Sequence, residues 1–187
     1  MSLAKLWEKE VGLRQQGSWP LDSAKLQAPC IVRNPVGGFR LFYTAVGPEK
    51  PYPTCQGYLL SAVSNEGLVF RPEPGIRLAP RLDLANMCLR ILAPTLTRCG
   101  DDRWRMYFEA RGRADRPVAI CSAVSSDMQE WELEEGIRLQ HPNGLGGPRF
   151  LPLPDGRGRL YCCGTDSSAD SHLPKGFVSA ITNDGQP

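Results

Sequence analysis

The chain has 187 residues, of which 41% are hydrophobic and 22% charged, and its formal net charge is +2 at pH 7. These values are typical of a folded globular protein and exclude a disordered tail. Because the 22 basic and 20 acidic residues form no long run of like charge, the sequence shows no basic patch for nucleic acid or an anionic membrane.

The N-terminal residues carry charges where a signal peptide needs an apolar core, and no apolar stretch approaches the length of a membrane span. We therefore expect a cytoplasmic protein. The 19 glycines and 17 prolines occur between alternating aromatic and β-branched segments, a mixture that favours many short strands joined by turns. The predicted fold class is all-β.

In chain order, a composite unit occurs three times. The first element is a short strand opened by proline: 28–32, 93–97 and 147–151. The second follows a turn and contains arginine before aromatic residues: 39–43, 104–108 and 158–162. The third is a strand of small residues that ends in an acidic turn: 61–67, 122–128 and 179–185. The fourth occurs only twice among these units, at 70–78 and 131–139.

A further copy of the fourth element stands at the start of the chain, in residues 7–15. Trp7 aligns with Phe70 and Trp131, and glycines and arginines align behind them. Four strands in each repeat of roughly sixty residues indicate a β-propeller. We predict one propeller domain over 1–187, divided as follows: 1–18 the closing fourth strand, 19–80 blade 1, 81–140 blade 2, and 141–187 the first three strands of blade 3.

Ring closure decides the expected assembly. Closed propellers have about four to eight blades, so three blades are too few to close a ring. Two chains would supply six blades, and each N-terminal strand could complete the third blade of the other chain. The sequence therefore predicts a homodimer formed by strand exchange. The alternative is a piece of a longer protein whose further blades complete the ring.

The blade pattern resembles a known enzyme group. The motifs are Ala-Pro-x-x-x, Arg-Leu/Met-aromatic-aromatic, Ser-Ala-x-Ser-x-Asp-Gly and a Trp-centred strand ending in Gly-Ile-Arg. Together they resemble the β-propeller glycoside hydrolases of the family 32/43 (furanosidase) type and their uncharacterised bacterial relatives. The resemblance implies carboxylates that project into a central funnel, one as general acid and another as base or nucleophile.

Three carboxylates are the candidate catalytic residues that this resemblance implies. Asp22 precedes the first inner strand, Asp83 approaches the second, and Glu109 follows the aromatic strand of blade 2. Asp22 is the strongest candidate, and the alternative for each is an exposed loop acid or an arginine partner. The family's acid often precedes Gly-Pro, whereas glycine stands there in 146–148.

Four residues are the candidate substrate-binding residues. Trp19 and Trp104 lack counterparts in at least one repeat and could stack on a sugar ring, while Arg90 and His141 lie on the approaches to inner strands. The predicted function is a glycoside hydrolase-like propeller that acts on or binds carbohydrate in its central channel. The alternatives are a non-catalytic scaffold for assembly or protein interaction, and an incomplete propeller without activity.

Other recurring side chains are predicted to be architectural. Arginines recur at equivalent sites of the repeats, as do the acidic turns of the third element. The recurring arginines are Arg14, Arg77 and Arg138 in one set, and Arg40, Arg105 and Arg159 in the other. The seven cysteines include no pair at zinc-ligand spacing, and we expect them to be reduced. We predict neither a metal nor another cofactor.

Overall fold

The computed structural model describes residues 10–99, 102–164 and 176–182. Within these residues the chain forms twelve strands and no helix, which confirms the predicted all-β class. In this part of the chain no helix has the length and apolarity needed to cross a membrane.

The strands form three antiparallel sheets in chain order. The first sheet contains β1 (Lys25–Arg33), β2 (Phe39–Val46), β3 (Tyr58–Ser64) and β4 (Arg71–Pro72). The second contains β5 (Arg90–Arg98), β6 (Trp104–Arg111), β7 (Ala119–Ser125), β8 (Glu132–Leu133) and β9 (Leu139–Gln140), where β8 and β9 both pair with β7. The third contains β10 (Leu145–Pro152), β11 (Gly158–Gly164) and β12 (Phe177–Thr182).

The fourth strands are shorter than the predicted nine-residue elements. Only two residues of β4 and two of β8 pair regularly with the preceding strand. In the first sheet Pro72 and Pro74 lack the N–H that a ladder requires, and Gly75 turns the chain at φ +87°. Gly136 makes the same turn in the second sheet, at φ +86°.

Each inner strand contains a β-bulge directly before its proline. The residue before proline has a positive φ in all three: 52° at Ala28, 51° at Ala93 and 58° at Gly147. The strand register shifts across each of these positions. Because a bulge re-aims the neighbouring groups, the bulges of β5 and β10 bring an amide of the inner strand toward the preceding sheet.

Aromatic contacts join neighbouring sheets. Phe42 of the first sheet and Trp131, just before β8, form an edge-to-face pair with centroids 5.8 Å apart. Tyr107 of the second sheet stacks on Phe150 of the third at 5.4 Å. The largest apolar cluster includes Phe42 and Phe108, so it spans the first and second sheets.

An Arg–Ser–Glu cluster repeats in the first two sheets. In the first, Glu73 accepts hydrogen bonds from Arg40 at 2.9 Å and Ser61 at 2.7 Å. In the second, Glu134 accepts two from Arg105, at 2.7 and 2.9 Å, and one from Ser122 at 2.7 Å. These contacts tie the second and third strands to the chain beyond the fourth, which confirms the architectural role predicted for Arg40 and Arg105.

The acidic turn of the second sheet also has its predicted role. Asp127 accepts hydrogen bonds from the backbone N–H of Gln129 at 2.7 Å and of Glu130 at 3.0 Å. Its partner turn in the third sheet, at Asp184, lies outside the described residues.

The N-terminal segment contacts the first sheet. Residues 10–16 form no strand, and the carbonyl of Arg14 accepts a hydrogen bond from the N–H of Phe70 at 2.9 Å. The residues predicted to pair with the third sheet include 7–9, which lie outside the described residues. Strand exchange and the blade boundaries therefore stay predictions.

Candidate functional site

Arg90 and Glu109 lie together at the beginning of the inner strand of the second sheet. Arg90 opens β5, and Glu109 lies on β6 opposite Leu92. Their side chains form an ion pair with an Nη2–Oε1 distance of 3.4 Å, and they are 28% and 10% exposed respectively. The second carboxylate oxygen accepts a hydrogen bond from the N–H of Gly147 at 3.2 Å. This acid thus links the second sheet to the bulge of the third.

The first sheet makes the equivalent link without a charge. There Thr44 stands at the corresponding position on β2, and its Oγ1 accepts a hydrogen bond from the N–H of Ala93 at 3.0 Å. A neutral hydroxyl is therefore sufficient to hold the bulge, and Glu109 adds a buried negative charge beyond that role. Arg90 offsets this charge, yet its Nε is buried with no hydrogen-bond partner in the described part of the chain. A donor so placed is suited to a ligand or an ordered water.

Asp22 is fully buried in the loop before β1. Its Oδ1 accepts the backbone N–H of Trp19 at 2.8 Å, and its Oδ2 accepts the hydroxyl of Tyr43 at 3.1 Å. Burial, together with the negative charge of Asp22, raises the pKa of Tyr43 far above its usual range. Both carboxylate oxygens are used in these internal contacts, so the geometry gives Asp22 a structural task. Trp19 is half-buried beside it.

Asp83 lies on the surface between the first two sheets. Its carboxylate pairs with Arg81, and the hydrogen bond from this arginine lowers the pKa of Asp83. Both side chains are more than half exposed. An arginine partner was one of the two alternatives that the sequence offered for this residue.

The two remaining candidates, Trp104 and His141, lie in different surroundings. Trp104 is only 8% exposed and belongs to the core cluster, and the guanidinium of Arg98 covers its ring at 4.5 Å from the centroid. His141 is exposed in a turn, where Nδ1 accepts the N–H of Asn143 at 3.2 Å.

The structure thus brings together Arg90 with Glu109, and Trp19 with Asp22. Among the described residues, no hydrogen bond or ion pair joins any two of the three candidate carboxylates. The three carboxylates have different environments: one is fully buried, one is exposed, and one lies beside a half-buried arginine.

Two groups near this region were missed in the sequence. One is the backbone N–H of Gly147, which the Gly-Gly-Pro sequence marks only as a turn signal. The other is Cys30, whose thiol lies near the backbone of Leu96 and the charge of Arg149. Burial raises the pKa of this thiol, and these two neighbours partly oppose the rise.

No metal centre is formed by the side chains that the structure places: none of residues 10–99, 102–164 and 176–182 belong to a group of three or more His, Cys, Asp or Glu arranged to hold an ion.

No family model matches the chain, and no curated protein matches it. Solved structures do. A family 117 glycoside hydrolase from the marine bacterium Zobellia galactanivorans is 14% identical, with a TM-score of 0.70 over 92% of this chain and 57% of its own. Sucrose-6-phosphate hydrolase from Lactobacillus gasseri is 16% identical, with a TM-score of 0.69 over 88% of this chain and 34% of its own.

An endo-arabinase from Bacteroides thetaiotaomicron is also similar, at 14% identity and a TM-score of 0.60, over 84% of this chain and 55% of its own. The chain spans about half the length of several of the solved structures it matches. At these identities the likeness is one of fold. The chain shares the antiparallel all-β fold of these solved glycoside hydrolases, which confirms the resemblance found in the sequence.

Proposed function

We propose that the chain binds a carbohydrate beside the inner strands, with Arg90 as the contacting donor and Glu109 as the residue that positions it. The observation that carries this proposal is the Arg90–Glu109 pair at the bulge of β10, with the Arg90 Nε buried and without a partner in the described residues. The glycoside hydrolase fold directs the choice of ligand to sugars.

The chemistry of the pair suits a sugar hydroxyl, which both donates and accepts hydrogen bonds. The guanidinium of Arg90 is the more exposed of the two groups and offers several donors in a fixed plane. Glu109 is held by the Gly147 amide, so it fixes the direction of the arginine. We therefore assign Glu109 a positioning role rather than an acid–base role.

Binding without hydrolysis is the form of this function that the contacts favour. Glycosidases use two carboxyl groups about 5–9.5 Å apart, on either side of the scissile bond. Here Asp22 uses both oxygens internally, and Asp83 is paired on the surface. Glu109 is thus the one candidate whose surroundings suit a role beside a ligand.

The test is calorimetric titration of the full chain with arabinosides, fructosides and xylosides, together with an assay for released sugar. We expect one class to bind without turnover. Arg90→Ala should weaken binding about tenfold or more, the value of a hydrogen bond from a charged donor. Glu109→Gln should weaken it less, because the amide oxygen can still accept from Gly147.

Asp83→Asn is the matched control, since it removes a surface carboxylate that is already paired with arginine. It should leave the affinity unchanged. Sugar release that Glu109→Gln abolishes would replace the binding role with catalysis. Failure of every sugar to bind would favour the second candidate, a non-catalytic scaffold, which the internal use of Asp22 supports.

A further inference from the structure

Among the described residues, the third sheet ends in a strand that has a partner on one side only. β3 and β7 each pair with a further strand, whereas β12 is the last strand of its sheet among the described residues. Phe177 of β12 is 86% exposed, but Leu59 and Ile120, at the same position of the first two sheets, are 0% exposed. An apolar strand edge of this kind is suited to pairing with another strand.

The N-terminal segment has the local conformation of a fourth-strand region. Gly12 has a φ of +89°, close to the +87° of Gly75 and the +86° of Gly136. Two residues later, Arg14 Nη2 donates to the carbonyl of Val11 at 2.9 Å. After Gly75, the side chain of Arg77 likewise donates to the carbonyl of Pro74, three residues earlier.

The same segment also contacts its neighbour as a fourth-strand region does. Arg14 Nη1 donates to the carbonyl of Leu68 at 3.1 Å, and Arg77 Nη1 donates to the carbonyl of Gln129 at 3.2 Å. These acceptors occupy equivalent places in the first and second sheets. The N-terminal segment therefore contacts the first sheet in the same way as the outer part of the first sheet contacts the second sheet. This is the position that the outer strand of a preceding sheet would occupy.

In the described residues, the third sheet has the arginine and the serine of the Arg–Ser–Glu cluster without its acid. Arg159 and Ser179 occupy the positions of Arg105 and Ser122. In the described chain Arg159 forms no side-chain hydrogen bond or ion pair. The acid of the cluster stands three residues after Phe70 or Trp131, and Glu10 stands three after Trp7.

Glu10 is available for this contact. Its side chain is 66% exposed, and its ion pair with Arg14 is long, at 3.5 Å. We propose that the N-terminal segment of a second copy of the chain covers the edge of β12, so that Glu10 of the second copy binds Arg159 and Ser179. Because residues 10–14 already lie on the first sheet, the second copy would cover Phe177 with that sheet at the same time.

Ring closure supports a second copy as the occupant. A two-fold pair makes the contact twice and holds six sheets, within the range of about four to eight that closes a propeller ring.

A charge exchange tests the pairing, with mass measured by light scattering on a sizing column. The unaltered chain should run at about twice its 20.6 kDa. Glu10→Arg or Arg159→Glu alone should shift the chain toward the single mass. The two together in one chain should restore the double mass. Asp115→Arg is the control, because this exposed acid lies on the β6–β7 loop of the central sheet.

A second variant avoids any dependence on folding. Phe177→Asp alters a side chain that is almost fully exposed in the single chain, so it should leave the circular dichroism spectrum unchanged and give the single mass. Leu82→Asp, at another exposed apolar residue, should keep the double mass. A single mass for the unaltered chain at every concentration would overturn the proposal. So would a double mass that persists in Phe177→Asp.

Discussion

The burial of Asp22 indicates a structural role for its carboxylate. In the sequence it is an acid before an inner strand, which predicts a catalytic residue, an exposed loop acid or the partner of an arginine. In the structure it is fully buried and holds Trp19 and Tyr43. The contact with Tyr43 spans 21 residues, and nothing in the local sequence specifies it. Chain reversals of this kind are fixed by tertiary packing, which periodicity does not encode.

Replacing Asp22 should destabilise the fold. Asp22→Ala leaves a buried hydroxyl and a backbone N–H without their acceptor, at a cost of roughly 1–3 kcal/mol for each unsatisfied group. Urea unfolding followed by tryptophan fluorescence measures the loss. Asp83→Ala, which removes an exposed carboxylate, should keep the midpoint unchanged. Equal midpoints for both variants would contradict the structural role of Asp22.

Thiol chemistry tests the burial of individual cysteines. Burial raises the pKa of Cys121 and of Cys162 to about 11, so little thiolate is present near neutral pH. We expect both to react slowly with Ellman's reagent in the folded chain, whereas all seven cysteines should react in guanidinium. Mass spectrometry of the labelled peptides assigns the sites. Rapid labelling of either cysteine in the folded chain would contradict this packing.

At the scale of elements, recurring side chains were predictable and exceptions were not. The sequence places arginine and serine at the same points of each repeat, and the first two sheets use them alike. Glu109 is an exception, since Thr44 stands at its position in the first sheet. Its contact with Gly147 depends on a β-bulge, whose positive φ at an Ala-Pro or Gly-Pro step the strand pattern does not predict.

The Arg105–Glu134 cluster should make stability depend on acid. Burial alone would raise the pKa of Glu134, but hydrogen bonds from Arg105 and Ser122 outweigh this effect and hold it below its ordinary value of 4.5. A pKa lowered by folding stabilises the chain above the ordinary value, and this stability is lost as the pH falls through the folded value. We expect the urea concentration at the unfolding midpoint to decrease as the pH is lowered below about 4.5.

Glu134→Gln isolates this contribution. It keeps the shape of the side chain but removes the charge beside Arg105, so stability near neutral pH should fall and its dependence on acid should flatten. Glu132→Gln, at an exposed acid on β8 two residues before Glu134, should retain the steep dependence. If the two variants had the same pH profile, the cluster would have no such role.

At the scale of the whole molecule, the repeat predicted an all-β chain of antiparallel sheets, and the solved glycoside hydrolases share this fold. The repeat also predicted a misplaced fourth strand at the N-terminus. The structure adds a local reason for it: the backbone at Gly12 and the contacts of Arg14 follow those of the first sheet. Pairing between copies involves two chains, whereas the repeat is a pattern within one sequence. The repeat therefore indicates such pairing only through the fourth element at the start of the chain, which has no third element before it.

The central claim is that the edge of β12 is covered by the N-terminal segment of a second copy. Hydrogen exchange of those amides of residues 177–181 that do not pair with β11 measures this directly, since an edge strand that gains a partner exchanges slowly there. We expect protection in the concentrated full chain, with loss both on dilution and on removal of residues 1–15. Rapid exchange at every concentration, or protection that survives the removal, would contradict it.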